Sequence, residues 1–260
     1  MRKEVVMIGL IVVLCLTGCN SANGNPVMIT AHRGDQSAAP ENTLAAFQAA
    51  IDNGADFIEL DVTETKDGKL VILHDDSLKR TASLDKNIWE VTYEEICDLD
   101  AGSWYAARFA EEKIPTLEET IRLCKDKIKL NIEIKVTGHE SAQFEENIVK
   151  MIQDEKIQKQ CIVTSFNYNT VKEVKQLDSS IQTGAIISGE DWSLSDYQDM
   201  DLFSMHEKVL TKELVEEAHS MGMTVHVWTV NDEKDIKHFQ KMGVDNIITN
   251  EPGKAKKIVQ

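Results

Sequence analysis

No stretch of this chain of 260 residues is apolar for long enough to cross a bilayer as a helix. The longest run, Val5–Leu16, has twelve apolar or small residues, where about 18 or more are needed. No Gly-x-Gly-x-x-Gly turn follows any apolar run, which argues against the open, doubly wound alternative to a closed sheet. Positive charge is scarce. The 28 Lys and Arg stand against 44 Asp and Glu, a net charge of −16. Such a surface does not suit nucleic acid and is not drawn to anionic membranes. Cysteine is scarce too, with five residues and no Cys-x-x-Cys spacing. That leaves no readable zinc site or disulfide framework. Cys124 and Cys161 sit among apolar residues and read as core. With Cys97 they make an odd set of three, of which one pair could oxidise outside the cell. No internal repeat or low-complexity segment is visible.

The first residues have a pattern of their own. Arg2-Lys3 precede the Val5–Leu16 run, and Leu16-Thr17-Gly18-Cys19 follows. A basic start and a short apolar run make a secretory signal. The ending resembles a bacterial lipobox. This implies a signal peptide over residues 1–18, cleavage before Cys19, lipidation of Cys19 and a tether over residues 19–26. Two or more acyl chains give a stable anchor where one does not. The expected location is extracytoplasmic, lipid-anchored to the bacterial cell membrane or envelope, with no other membrane contact. A plain cleaved signal with an incidental Cys19 is the alternative.

From Val27 onward, apolar runs alternate with helical patterns. Strands are expected at Val27–Ala31, Phe57–Val62, Leu70–Leu73, Lys129–Val136, Cys161–Phe166, Gln182–Ile187, Leu202–Met205, Thr224–Val230 and Asp245–Ile248. Helices read from the 3.6-residue period lie between most of them. They include Thr116–Asp126 (Leu117, Ile121 and Cys124 on one face), Thr211–Met221 (Leu214, Ala218 and Met221) and Asp232–Met242 (Ile236 and Phe239). Alternating strand and helix implies a parallel sheet. Nine strands are one too many for an eight-stranded barrel. The five residues Thr65 to Lys69, with Asp67-Gly68, form a hairpin turn, too short for a parallel crossover. Leu70–Leu73 therefore folds back on the second strand, and eight staves remain. The fold class is α/β, a (β/α)8 TIM barrel spanning residues 27–260. Residues 76–115 interrupt it after strand two with Trp89, Tyr93, Trp104, Tyr105 and Phe109. A segment this long and aromatic reads as a small, mainly helical insertion over the top of the barrel.

Chemistry in such barrels sits at the carboxyl ends of the strands. Strand one ends there with His32-Arg33-Gly34, where Gly34 permits a sharp turn. Asn42 or Thr43 can then cap the first helix. In Glu59-Leu60-Asp61-Val62 the acids are two apart and share the inward face. The same alternation turns Glu133 and Lys135 inward on the third stave. Two unit charges about 4 Å apart repel by roughly 4 kcal/mol even at an effective dielectric near 20. Protonation, Lys135 or a divalent cation must offset that. All-oxygen ligands favour Mg2+ or Ca2+ over zinc. The returning strand ends in Leu73-His74-Asp75 and brings a second histidine to the rim. Two histidines, Arg33, Lys135 and a cation suit phosphoryl chemistry. The basic side chains would hold anionic oxygens, and the histidines would take up and deliver protons. Each residue alone has a duller reading, such as a hydrogen-bonded surface histidine or an ion pair across one strand. Their convergence on one rim carries the argument.

The ordered set HRG, PENT, ELDV, LVILHD and EIK, followed by SF, WTVN and DNIITNEP, resembles the glycerophosphodiester phosphodiesterase family of barrel phosphodiesterases over Val27 to about Pro252. The resemblance implies hydrolysis of a small-molecule glycerophosphodiester to glycerol 3-phosphate and an alcohol, with a divalent cation. By position, His32 and His74 match the family's acid–base pair. Glu59, Asp61 and Glu133 match its metal ligands, and Arg33 and Lys135 its phosphate contacts. Trp228 matches an aromatic near the mouth that could pack on the glycerol, or it is core. Phe166 is expected in the core. Two other functions are open: a lipid-directed phosphodiesterase forming a cyclic phosphate, and a non-catalytic, phosphodiester-binding envelope lipoprotein.

Overall fold

The structure, a computed structural model, describes residues 26–189 and 192–260. The expected signal segment and Cys19 lie outside the described residues. Nine strands alternate with helices. They are β1 (Met28–Ala31), β2 (Phe57–Glu64), β3 (Leu70–Ile72), β4 (Lys129–Ile134), β5 (Cys161–Ser165), β6 (Gln182–Ile187), β7 (Leu202–His206), β8 (Thr224–Trp228) and β9 (Asn246–Thr249). The helices are α1 (Leu44–Asp52), α2 (Lys79–Ala82), α3 (Tyr93–Ile96), α4 (Leu117–Cys124), α5 (Phe144–Asp154), α6 (Tyr168–Leu177), α7 (Lys212–Ser220), α8 (Glu233–Met242) and α9 (Pro252–Val259). Strand ends differ from the sequence reading by one or two residues, some longer and some shorter.

The sheet closes. β1 pairs in parallel with β9 on one side and β2 on the other, and the remaining staves follow in chain order. β3 is the exception. It runs antiparallel to β2, with Val62 opposite Ile72 and Glu64 opposite Leu70. Eight parallel staves and one returning strand give the (β/α)8 barrel, as the short Asp67-Gly68 turn requires.

Between staves and helices lies the apolar core, in two halves. One gathers Phe47, Leu60, Leu117, Ile121, Ile132 and Phe144 around α1, α4 and α5. The other gathers Ile29, Phe203, Met205, Val215, Val225 and Ile236 around α7, α8 and α9. Leu117, Ile121 and Cys124 share the buried face of α4, and Ile236 and Phe239 that of α8. On α7 the expected face is rotated. Val215 and Ala218 are buried, while Leu214 and Met221 flank them half-buried. An apolar stripe over 100° wide takes in such neighbours, so the spacing alone does not centre it. The barrel floor is sealed by Phe57, Ile162 and Leu202.

Residues 76–115 fold as a cap. It holds α2, α3 and two 3-10 turns, Ile88–Glu90 and Ala107–Phe109. Its core is aliphatic: Leu78, Ile88, Val91, Ile96 and Ile114 pack on Val71 and Leu73 of the returning strand. The aromatics singled out in the sequence lie at its half-buried or exposed surface.

Candidate active site

Local structure at the rim begins with backbone geometry. Arg33 and Gly34 both take left-handed conformations, φ 54° and 83°. A Cβ on Gly34 would lie 2.6 Å from the Ala46 Cβ, so glycine lets α1 press against the turn. The left-handed Arg33 aims its own N–H at Glu59 Oε2, 2.8 Å away. Asn42, also left-handed at φ 56°, donates its side-chain amide to Asp61 Oδ2 at 2.8 Å. Thr43 then caps α1, its hydroxyl accepting from the Ala46 N–H. The loop between β1 and α1 thus grips two acids of β2 while it starts a helix.

Glu59, Asp61 and Glu133 converge. Each places one carboxylate oxygen within 4.8 Å of the others. Glu59 and Asp61 are buried, and their Oε1 and Oδ1 have no hydrogen-bond partner. Two orphaned buried acceptors facing a third carboxylate are what an all-oxygen cation site presents. Burial, with the charges of Asp61 and Glu133, pushes the Glu59 carboxyl well above the ordinary range. Burial and Asp61 push Glu133 up to about 7. Burial also pushes Asp61 upward, but the Arg33 guanidinium and Lys135 outweigh it and hold Asp61 below its usual value. Arg33 Nε lies 3.4 Å from Asp61, and Lys135 Nζ lies 2.9 Å from Glu133 and 3.7 Å from Asp61.

Both rim histidines are held by Nδ1. His32 Nδ1 lies 2.7 Å from Asn250 Oδ1, an oxygen that also accepts from Gln36 Nε2 at 3.0 Å. With Asn250 accepting, Nδ1 carries the proton and Nε2 is left toward the cleft, 4.0 Å from Glu59 Oε2. Burial, then the Arg33 charge, lowers His32 to about 4. His74 Nδ1 lies 2.7 Å from Asp75 Oδ1. Asp75 is held down at about 2 by hydrogen bonds from Arg80 and His74.

These residues line a cleft at the carboxyl end of the barrel. His32, Arg33, Glu59, His74, Glu133 and Lys135 form one wall. Phe166, Ile186, Trp228 and Ile248 form the other. Trp228 belongs to that wall. Its indole N–H donates to the Ser204 carbonyl at 3.0 Å, and its ring meets Phe166 edge-on with centroids 5.7 Å apart. The core reading of Phe166 is corrected: the side chain is 52% exposed. It is the first residue past β5, at an inward-facing position where the packed barrel interior has already ended. Cys124 and Cys161 are buried, as expected, and Cys97 is half-buried; all three are free thiols.

The sequence reading missed the side chains behind the site. Asn250 behind His32, Glu41 behind Arg33 and Arg80 behind Asp75 drew no role of their own, and Asn42, read only as a possible helix cap, stands behind Asp61 instead. A signal was present for three of them, since Glu41 and Asn42 lie in PENT and Asn250 in DNIITNEP.

A (β/α)8 barrel with convergent acids, two Nδ1-anchored histidines and paired bases on its carboxyl rim defines a class of charged, cation-ready barrel sites. Comparison with known proteins narrows the class. The family model for the glycerophosphoryl diester phosphodiesterase family matches residues 32–254, and the chain belongs to that family. A glycerophosphodiester phosphodiesterase of Caldanaerobacter subterraneus subsp. tengcongensis is 38% identical over 231 residues, covering 86% of this chain and 94% of its own. One from Bacillus altitudinis is 33% identical over 240 residues, covering 88% and 97%. Among solved structures, a phosphodiesterase of Oleispira antarctica in complex with the product sn-glycerol-3-phosphate superposes with a TM-score of 0.79 at 29% identity, covering 89% of this chain and 96% of its own.

Proposed function

We propose that this protein hydrolyses glycerophosphodiesters to glycerol 3-phosphate and an alcohol, using one divalent cation, Mg2+ or Ca2+. The observation that carries the reading is the pairing of two orphaned buried carboxylate oxygens with two histidines whose Nε2 atoms are left for chemistry. The relatives that carry the name of this activity support it, as does the product found in the Oleispira structure.

Glu59, Asp61 and Glu133 would hold the cation, which when bound supplies Lewis-acid withdrawal of charge from the phosphoryl oxygens. The chain's own groups do the rest. Arg33 and Lys135 present charged donors to the diester's anionic oxygens. One of His32 and His74 accepts the proton of the attacking water at Nε2, and the other protonates the departing alkoxide. Each such role contributes roughly 10²–10⁴ in rate. Trp228 and the apolar wall pack against the carbon skeleton of the glycerol. Metal-dependent release of glycerol 3-phosphate from glycerophosphocholine, lost in His32→Ala, tests the reading. A cyclic phosphate product would replace it with a lipid-directed transesterification.

The N-terminal reading is part of the same proposal. Residues 1–18 are a signal peptide, Cys19 is the lipidated residue and residues 19–26 are a tether to the barrel of residues 27–260. The tether spans at most roughly 28 Å and enters at the amino end of β1, while the cleft opens at the carboxyl ends of the staves. The site therefore faces away from the anchoring membrane and takes released, water-soluble diesters. Comparable turnover of liposomal phospholipid and glycerophosphocholine would reject this orientation. Mass analysis of the mature protein tests Cys19: an acylated N-terminal cysteine is expected, and an unmodified one contradicts it.

A further inference from the structure

Behind the rim, one side chain of the cap reaches two residues of the site, each through a carboxylate. Arg80 lies on α2, the first helix after the returning strand. Its Nη1 donates to Glu41 Oε2 at 2.8 Å and its Nη2 to Glu41 Oε1 at 2.8 Å. On its other edge, Nε donates to Asp75 Oδ2 at 2.6 Å and Nη2 to Asp75 Oδ1 at 3.1 Å. Each carboxylate then reaches one residue further inward. Glu41 Oε1 accepts from Arg33 Nη1 at 2.9 Å, and Asp75 Oδ1 holds His74 Nδ1 at 2.7 Å. The Glu41 side chain is 8% exposed. The Trp104 ring lies 5.9 Å from the Arg80 guanidinium carbon and backs it from the cap.

We propose that Arg80 is a positioning residue for the hydrolysis, joining through its guanidinium the arm that orients His74 to the arm that orients Arg33. The proposal rests on the roles given above to His74 and Arg33. Its physical basis is the planar fork of arginine, which can meet two carboxylates along two edges at once; a lysine ammonium is a single point and cannot. Two segments far apart in sequence supply the parts: Glu41 from the loop after β1, and Asp75 with Arg80, five residues further on, from the end of the returning strand and the root of the cap. The root of the cap therefore sets the geometry of the chemistry, whatever its outer surface does for substrate choice. Misplacement of reacting groups by about 1 Å can cost on the order of 10²-fold in rate.

The test is steady-state hydrolysis of glycerophosphocholine by the full chain with Mg2+ or Ca2+. Calorimetric binding of sn-glycerol 3-phosphate gives a readout independent of turnover. Arg80→Ala is expected to lower kcat about 10–100-fold and to raise KM several-fold, since it releases both arms. The arms separate in the conservative variants. Asp75→Asn lowers kcat with little change in KM or product affinity. Glu41→Gln raises KM and weakens product binding with kcat largely kept. Adding Asp75→Asn to Arg80→Ala costs no further kcat beyond about 2-fold, because both act through one chain of contacts. Arg80→Lys keeps the charge and recovers little.

Arg80→Ala within about 2-fold of the parent in kcat and KM, full recovery in Arg80→Lys, or additive losses in the double variant would each overturn the proposal. If Arg80→Ala does not fold, Asp75→Asn and Glu41→Gln decide it through the kcat-against-KM split. A parent protein that turns over no glycerophosphodiester overturns the functional reading itself and this proposal with it. An active parent with an indifferent Arg80 overturns the positioning role alone.

Discussion

The two walls of the cleft come from the two halves of the chain and differ in kind. The first half supplies the charge: His32, Arg33, Glu59, His74, Glu133 and Lys135 from β1 to β4 and their ends, with Asp61 buried beside them. The second half supplies shape: Phe166, Ile186, Trp228 and Ile248 from β5, β6, β8 and β9 or their ends. One barrel thus sets a charged face against an apolar one across a single cleft. Low polarity on one side strengthens the electrostatics on the other. The division is crossed at His32, which the second half orients through Asn250.

Substitutions on the two walls should fail differently. The largest effect is expected on the charged wall. His32→Ala, or Glu59→Gln with its loss of a cation ligand, should lower kcat/KM by about 10³-fold or more, read by glycerol 3-phosphate release. Asn250→Ala should cost less, about 10-fold in kcat, because it frees the His32 ring without removing it. On the apolar wall, Trp228→Ala should raise KM several-fold, as expected for about 1–2 kcal/mol of lost apolar contact, with kcat changed far less. A Trp228→Ala loss confined to kcat would break the comparison.

Stability sharpens it further. In the metal-free protein the Glu133 carboxyl is raised to about 7, above its ordinary value of 4.5. A raised carboxyl binds its proton more tightly in the folded state. Its contribution to stability is complete below pH 4.5 and is lost as pH rises through about 7. The metal-free protein should therefore lose a few degrees of Tm between pH 6 and 8. Glu133→Gln should flatten that slope, and added Ca2+ or Mg2+ should restore more at pH 8 than at pH 6. Thermal melts at fixed ionic strength check all three. An unchanged slope in Glu133→Gln would detach the pH dependence from the charged wall.

How much of this was legible in the sequence depends on how each feature is encoded. Staves and helices announce themselves by period, and the hairpin return of β3 by a five-residue turn, so the barrel could be counted. Glu59, Asp61, Glu133 and Lys135 were readable because strand alternation turns every second residue inward. Phe166 was misread because the same alternation does not say where the packed interior stops and the mouth begins. The supporting contacts were the least legible. Arg80 meets Glu41 across 39 residues, and His32 meets Asn250 across 218. No periodicity marks such a pair, and an arginine on a short cap helix looks like any solvated charge. The cap's aliphatic core was hidden for a related reason, since its Leu, Ile and Val residues are scattered along the segment with no single period to mark them.

The central claim, that three carboxylates of the first half form one cation site, is tested most directly by calorimetric titration of the metal-free protein with Ca2+ or Mg2+ near pH 6.5, in buffers of differing ionisation enthalpy. Binding should be one cation per chain with net proton release, because the Glu133 carboxyl, raised to about 7, still holds a proton near pH 6.5 when the metal is absent, and Glu133→Gln should weaken it at least 10-fold. No binding, or binding of equal strength in Glu133→Gln with no proton released, would contradict the account.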